Sequence, residues 1–354
     1  MGEKCIARRV RLTHARNPLI DSLYSRREFI VICTTDQNSS LFENQSTLVT
    51  KHLIISSFLC MWVVLNLSYT GHAQAASDSS SAVKQRLIPL TITGTTLYTG
   101  SLVVLSTQWY QDFDRNEFHF FNDGDQWLQM DKAGHGLTAY YINELATRAL
   151  KYSGVKNKRA LLLGAGVSFS YLACIEVLDG FSAKWGYSVS DMIANTSGIA
   201  LYTGQELLWG EQRICFKYNF LPSEFAAYRP DALGVGFWQQ ALKDYNGQAY
   251  WLSTNPHNWM DAGRWPPWLN VCVGYSASGM TGGRENSFPL LNSGESEPDF
   301  ARTREFYLSL DLNLDGISSK NKAFNAFRRV FSFVKIPAPA LSVNSQGQFS
   351  AAIR

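Results

Sequence analysis

Between Met130 and Gln205 the chain carries three small sets of side chains able to do acid–base or metal chemistry: Asp131, Lys132 and His135; Glu176 and Asp179; and Ser188, Asp191 and Asn195. A separation of three or four residues puts two side chains on one helical face, so Asp131/His135, Glu176/Asp179 and Asp191/Asn195 are same-face pairs. Hydrolytic chemistry needs a base that titrates near neutrality and a group to orient it, and His135 with Asp131, Glu176 and Asp191 offers both. The same residue types suit a metal: His135, Asp131, Glu176 and Asp179 form an oxygen-rich donor set of the kind that takes Mg, Mn or Zn. Lys132, Asp179, Ser188 and Asn195 would complete the pocket as ligand-binding or structural polar groups. A third reading is a buried, hydrogen-bonded ion cluster that fixes helix packing and does no chemistry. Structure, binding of a small ligand or divalent metal, and catalysis all stay open at this stage.

The elements that must position these groups are apolar helices. The first set opens a helix from about Met130 to Tyr152, with Asp131 near its positive end and Gly154 as its stop. The second set closes a helix over Ala160 to Leu178, which is uncharged until Glu176 and carries the small residues Gly164, Gly166, Ser168 and Ser170 for close approach. Carboxylates at that C-terminal end face carbonyl oxygens and call for a compensating cation, which His135, Lys132 or a metal would supply. Ser188 or Ser190 N-caps the next helix, Asp191 to Leu208, which contains Gly198 and Gly204. In an up-down-up arrangement with short loops all three sets fall at one end. An earlier stretch, Leu87 to Tyr110, has 24 residues without a charge, long enough to span a bilayer, while its six threonines, Gly94 and Gly100 equally suit a tightly packed helix in a protein interior. The aromatic and acidic segment Gln111 to Gln126, with a turn at Asn122-Asp123-Gly124, fits a membrane boundary or a loop over the bundle end.

Ahead of these helices, Lys51-His52, the apolar run Leu53 to Leu67 and Ala73-Gln74-Ala75 read as a secretory signal peptide cleaved after Ala75. The expected organisation is a prefix over 1–50, a signal peptide over 51–75, a linker over 76–86, a helical bundle over 87–210 and an aromatic-rich region over 211–354. Bulky residues before Cys60 argue against a lipid anchor there. Of 32 Lys+Arg and 29 Asp+Glu, 8 and 5 precede Ala76, so the remainder is neutral and a nucleic-acid surface is not expected. Cys174 reads as a core residue, and Cys215 with Cys272 as a candidate disulfide in an oxidising compartment.

In the C-terminal region, Leu269 to Ser276 and Phe306 to Leu314 alternate apolar and polar residues as half-buried strands do. Ala323 to Val334 reads as an amphipathic helix and the tail to Arg354 as loose. Asp311-Leu-Asn313-Leu-Asp315-Gly316 opens like a calcium loop, but Lys322 stands at the twelfth position and the run continues a strand, so strand plus turn is preferred. No nucleophile elbow, phosphate loop or CxxC pair is present.

The spacing Asp131-Lys132-x-x-His135, then Glu176-x-x-Asp179-Gly180, then Trp185-Gly186-Tyr187-Ser188-x-x-Asp191-x-x-x-Asn195-x-x-Gly198 resembles a family of predicted periplasmic lipoproteins of unknown function, itself distantly similar to VanZ-like membrane proteins. The resemblance spans Leu87 to Gly210. It lacks the VanZ pattern's Gln after Glu176 and Arg before Ser188. It implies an envelope location and marks these residues as the site, without implying a reaction. The expected molecule is mainly α: a four-helix bundle, embedded in or apposed to a membrane, followed by an α+β region with a few antiparallel strands. Its expected function is structural or small-ligand binding in the cell envelope. The alternative is a metal-assisted hydrolase or transferase acting on lipid or cell-wall head groups.

Overall fold

The computed structural model describes residues 79–106, 114–260, 263–289, 296–317 and 319–354. The expected prefix and signal peptide lie outside them. Helices come first and strands follow: α1 (Ser79–Val104), α2 (Met130–Tyr152), α3 (Asn157–Gly180) and α4 (Val189–Leu208), then a six-stranded sheet. Three shorter helices, α5 (Pro230–Leu233), α6 (Gly236–Lys243) and α7 (Lys322–Phe331), decorate it. Helix α1 begins at Ser79, inside the segment expected to be linker, because Ser and Ala there do not oppose a helix that the apolar run after Leu87 propagates.

Helices α2, α3 and α4 pack on one another through small residues. A side chain at Gly198 would place its Cβ 2.0 Å from the carbonyl oxygen of Gly136, and one at Gly164 would meet Thr147 Oγ1 at 2.2 Å. Gly166 and Gly204, on other faces, have open space around them. Buried polar groups tie the same seams: Ser168 Oγ donates to Ala139 O at 2.9 Å, and Asn143 donates to Thr203 Oγ1 at 2.8 Å. Since backbone blocks the Gly198 position, Gly198→Ala is expected to cost at least the ~1–3 kcal/mol of an overpacked core, whereas Gly204→Ala should stabilise slightly as a better helix former. Thermal melts of the two variants would check this contrast. Helix α1 touches α3 through Tyr98 on Tyr171, with ring centroids 5.1 Å apart, and through Tyr171 to Ser101.

The strands are β1 (Ile214–Phe220), β2 (Gln248–Thr254), β3 (Leu269–Ser278), β4 (Thr303–Leu312), β5 (Pro339–Asn344) and β6 (Phe349–Ile353), an antiparallel meander in chain order. The tail expected to be loose is therefore the last hairpin. Asn344 and Gly347, with φ +78° at the glycine, make its turn, and Pro339 is tolerated because it starts its strand. The calcium-like run is the end of β4 and a 3-10 turn, Leu314–Gly316, as its alternation indicated.

Cys174, Cys215 and Cys272 are not in disulfides. Cys215 and Cys272 both flank Ser253, on opposite sides of β2. Two strand spacings of about 4.8 Å separate their backbones by more than the ~7 Å a disulfide can bridge, so the candidate pairing is excluded. The sheet meets the bundle where Met130, Tyr250, Ala277 and Met280 are buried together, with Leu137, Phe216 and Tyr245 against them.

Candidate functional site

The loop from Phe181 to Ser188 joins α3 to α4 and is laced to residues 114–121 by main-chain bonds. His119 N–H donates to Gly180 O at 2.9 Å, and Phe121 N–H to Tyr187 O at 3.0 Å. Phe118 lies against Gly180, where a Cβ would meet its ring at 2.4 Å. This segment closes the bundle end and delivers Asp123. The chain then passes through Trp127, Leu128 and Gln129, three consecutive non-glycine residues at φ +49°, +49° and +63°. Such backbone costs about 1–3 kcal/mol per residue and persists only where its surroundings hold it. Here Gly283 O accepts from Trp127 N–H at 2.7 Å, while Arg304 donates to Gln129 Oε1 at 2.7 Å and to Leu128 O at 3.3 Å. The turn directs the chain straight into α2, so Asp131 and Lys132 begin that helix facing Asp123.

At the centre Lys132 Nζ lies 2.8 Å from Asp123 Oδ2, 2.9 Å from Asp131 Oδ2 and 2.7 Å from Asp191 Oδ1. His135 stands beside it. Its Nε2 is 3.9 Å from Asp131 Oδ1 and 3.7 Å from Asp191 Oδ1; its Nδ1 is 3.2 Å from Asn195 Oδ1 and 3.6 Å from Glu176 Oε1. Side chains from α2, the end of α3 and the start of α4 thus share one pocket. Ser188 is the N-cap of α4, accepting from Asp191 N–H at 3.0 Å, and its hydroxyl donates to Asp123 Oδ1 at 2.5 Å. Asp179 sits a turn from Glu176 and acts on it through charge; the contacts to His135 come from Asp131, Asp191, Glu176 and Asn195.

Three contributors were not marked as site residues by the sequence. Asp123 carried a partial signal in its acidic turn. Ser190, which donates to Asp123 Oδ1 at 2.7 Å, was visible only as a cap candidate. Tyr245, whose hydroxyl donates to Asp131 Oδ1 at 2.8 Å, arrives from the sheet region and carried none.

The electrostatics are uneven. Burial and the negative charges of Asp191 and Asp179 push the Glu176 carboxyl up to about 9, so it holds its proton at neutral pH. Burial also raises Asp191, to about 6; His135 pulls against that shift and Asp131 adds to it. Burial would raise Asp123 as well, but bonds from Lys132, Ser188 and Ser190 outweigh it and hold the group at about 2. Lys132 is disfavoured as a cation by burial, yet the charges of Asp131 and Asp191 and the bond to Asp123 shift it upward.

Two buried atoms, Glu176 Oε1 and Asn195 Nδ2, have no hydrogen-bond partner. Asp191 Oδ1 is ion-paired with Lys132 but lacks a well-directed hydrogen bond. An Nδ1–H donated to Asn195 Oδ1 would leave the Nε2 lone pair of His135 turned toward Asp131 and Asp191. One donor atom from each of Asp131, His135 and Asp191 lies within 4.8 Å of the others, a set able to close on a metal ion. Of the metal donors expected from the sequence, His135 and Asp131 lie in this group together with Asp191, and Glu176 and Asp179 do not. Asp131 and His135 are half-buried, which leaves the site reachable from solvent. A separate cleft of about 460 Å³ opens at the other end of the bundle, between Tyr141, Glu144, Arg148, Glu206 and Lys217. It holds none of the groups of the acid cluster.

A family model described as a predicted periplasmic lipoprotein (DUF2279) matches residues 118–203. The matched span runs from the segment that closes the bundle end through α4, and it contains every group of the cluster except Tyr245. The description agrees with an exported protein of the periplasm or cell envelope. No curated protein and no solved structure matches the chain significantly.

Proposed function

We propose that this is a cell-envelope ligand-binding protein whose acid cluster takes a divalent cation, held by His135, Asp131 and Asp191. One observation carries the reading: three donor atoms converge within 4.8 Å beside buried polar atoms that the protein leaves unpaired. A purely structural cluster would satisfy those atoms itself. Three carboxylates, Asp123, Asp131 and Asp191, surround the one ammonium of Lys132, so the site favours a further positive charge. Asn195 orients the imidazole, and losing such a second contact typically costs about 10–100-fold in metal affinity.

Isothermal titration of the purified chain with Zn or Mn should show one site per chain. His135→Gln should abolish it and Asn195→Ala should weaken it by that 10–100-fold. Absence of binding to the wild-type chain, with His135→Gln only less stable, would return the cluster to a structural role.

A second reading is supported by the Glu176 carboxyl, which keeps a proton beside an imidazole. That pairing suits acid–base chemistry on a lipid or cell-wall head group, with His135 as base and Asp131 and Asp191 orienting it. Membrane contact belongs to both readings. Gln85–Val104 and α3 are each long and apolar enough to cross a membrane, but only 6% of the first is buried against 39% of α3. We therefore read α1 as the membrane-facing fourth helix of the bundle and α3 as one of its core helices. The VanZ-like resemblance stays within this proposal, resting on the spacing of Glu176, Ser188 and Asn195.

A further inference from the structure

The sheet is inside-out for a protein surrounded by water. Cross-strand partners on one face run Phe216, Leu252, Val273, Leu308, Leu341 and Ala351 across all six strands. The flanking row runs Tyr250, Tyr275, Phe306, Val343 and Phe349, and on the other side Val271 faces Leu310. These rows contain no charged residue. The opposite face is buried and mixed: Lys217, Ser253, Ser276, Ser309, Asp311 and Ser342 lie there among an apolar cluster of Trp251, Tyr307 and Cys272.

Lys217 Nζ lies 2.6 Å from Asp311 Oδ2, with side chains 4% and 0% exposed. The fully buried Lys335 sits over the Trp251 ring at 4.4 Å and donates to Arg354 O at 2.7 Å. The segment carrying Lys335 also seals the free edge of β1, since Tyr218 N–H donates to Phe333 O and Lys335 N–H to Tyr218 O. Antiparallel sheets in water bury their apolar face and solvate the polar one. Here charge lies within and hydrocarbon without. Helix α2 and the turn before it cover the apolar face at Phe216, Tyr250, Tyr275 and Ala277, but Val273, Phe306, Leu308 and Leu341 are each at least half exposed.

We propose that this outer face, from β2 to β6, is a lipid-facing wall that rests in the acyl region of a bilayer. The proposal is independent of what the acid cluster binds. The Lys217–Asp311 pair and Lys335 on the inner face favour lipid over a protein partner: a protein partner accounts for an apolar outer face but gives no reason for charge within, whereas both follow for a sheet face in contact with hydrocarbon.

Dimensions agree. Strands β3 and β4 have ten residues each, within the ~9–11 that cross a bilayer, while β2, β5 and β6, with seven, six and five, reach only part of the way. The aromatic distribution agrees as well. Phe237, Trp238 and Phe349 are exposed at one rim, and Trp259 and Trp268 at the other. Aromatic girdles mark the two interfaces of a membrane sheet.

The test reconstitutes the full chain into phosphatidylcholine vesicles with plain or dibrominated acyl chains. An environment-sensitive fluorophore is placed on Val273→Cys, Leu308→Cys or Leu341→Cys, or on Gln346→Cys in the β5–β6 turn, and the parent chain labelled the same way supplies the background of its native thiols. Emission from the three wall positions should be blue-shifted and lose intensity in brominated vesicles, while emission from position 346 should do neither. Three strands are probed separately, so one variant that misfolds leaves the question answerable. Two results would overturn the proposal. In one, the wall positions report water although the chain floats with the vesicles. In the other, they are shielded without bromine quenching and the particle has the mass of a dimer or complex, which assigns the face to protein.

Discussion

Lys132→Met should destabilise the chain by about 3–5 kcal/mol at neutral pH, the largest single effect we expect at the acid cluster. The side chain is 12% exposed and its ammonium is the shared partner of Asp123, Asp131 and Asp191 at 2.7–2.9 Å. Methionine preserves the packing of the aliphatic stem and removes the charge, which leaves three carboxylates in mutual repulsion inside a poorly hydrated pocket. The loss should shrink when those carboxylates are neutralised, either by acid or by a divalent cation. Denaturant unfolding of the detergent-purified variant at pH 7, with and without millimolar Mn, reads both effects. A variant as stable as wild type would mean that the three ion pairs contribute nothing net. Destabilisation that Mn leaves untouched would count against the cation-binding reading.

Glu176→Gln should change the pH dependence of stability and leave the fold intact. The carboxyl is pushed up to about 9 from an ordinary value of 4.5, so the folded chain holds a proton that the unfolded chain releases. Its contribution is complete below about pH 4.5 and is lost as pH rises toward 9, at no more than about 1.4 kcal/mol per pH unit. Asp191, raised to about 6, adds to the same decline only between its ordinary 3.8 and that value. Asp123 has the opposite sign: its stabilisation is present above 3.8 and disappears as pH falls toward 2. Wild type should therefore be most stable in mild acid and weaken steadily from pH 5 to 9. Glutamine matches the protonated carboxyl in shape and cannot ionise, so the variant's profile over pH 6–9 should be nearly flat. Melting curves across that range decide the matter, and parallel slopes for the two proteins would show that Glu176 is already ionised at neutral pH.

Much of the cluster was legible before any coordinates. Helical spacing paired Asp131 with His135 and Asp191 with Asn195, and alternating chain direction put the three sets at one end. Asp123 was half visible, because an acidic turn announces a loop without saying which cavity the loop enters. Tyr245 was invisible: it lies 114 positions from Asp131, and only the docking of the sheet on α2 brings them together. Strict alternation marks the strands β3 and β4, whereas the last hairpin reads in sequence as loose chain. Short segments such as Pro339–Asn344 carry too few alternations to stand out, and they become strands because β4 presents an open edge.

The amino-acid order alone determined where the three long helices α2, α3 and α4 run, which faces they share and where acid and imidazole groups concentrate, since these follow from local periodicity and chain direction. Tertiary structure decided which donors close on His135, which glycines are irreplaceable, that Cys215 and Cys272 stay apart, and that the sheet turns its charges inward. Those outcomes depend on distances between segments far apart in the chain, and periodicity within a segment carries no record of what is packed against it.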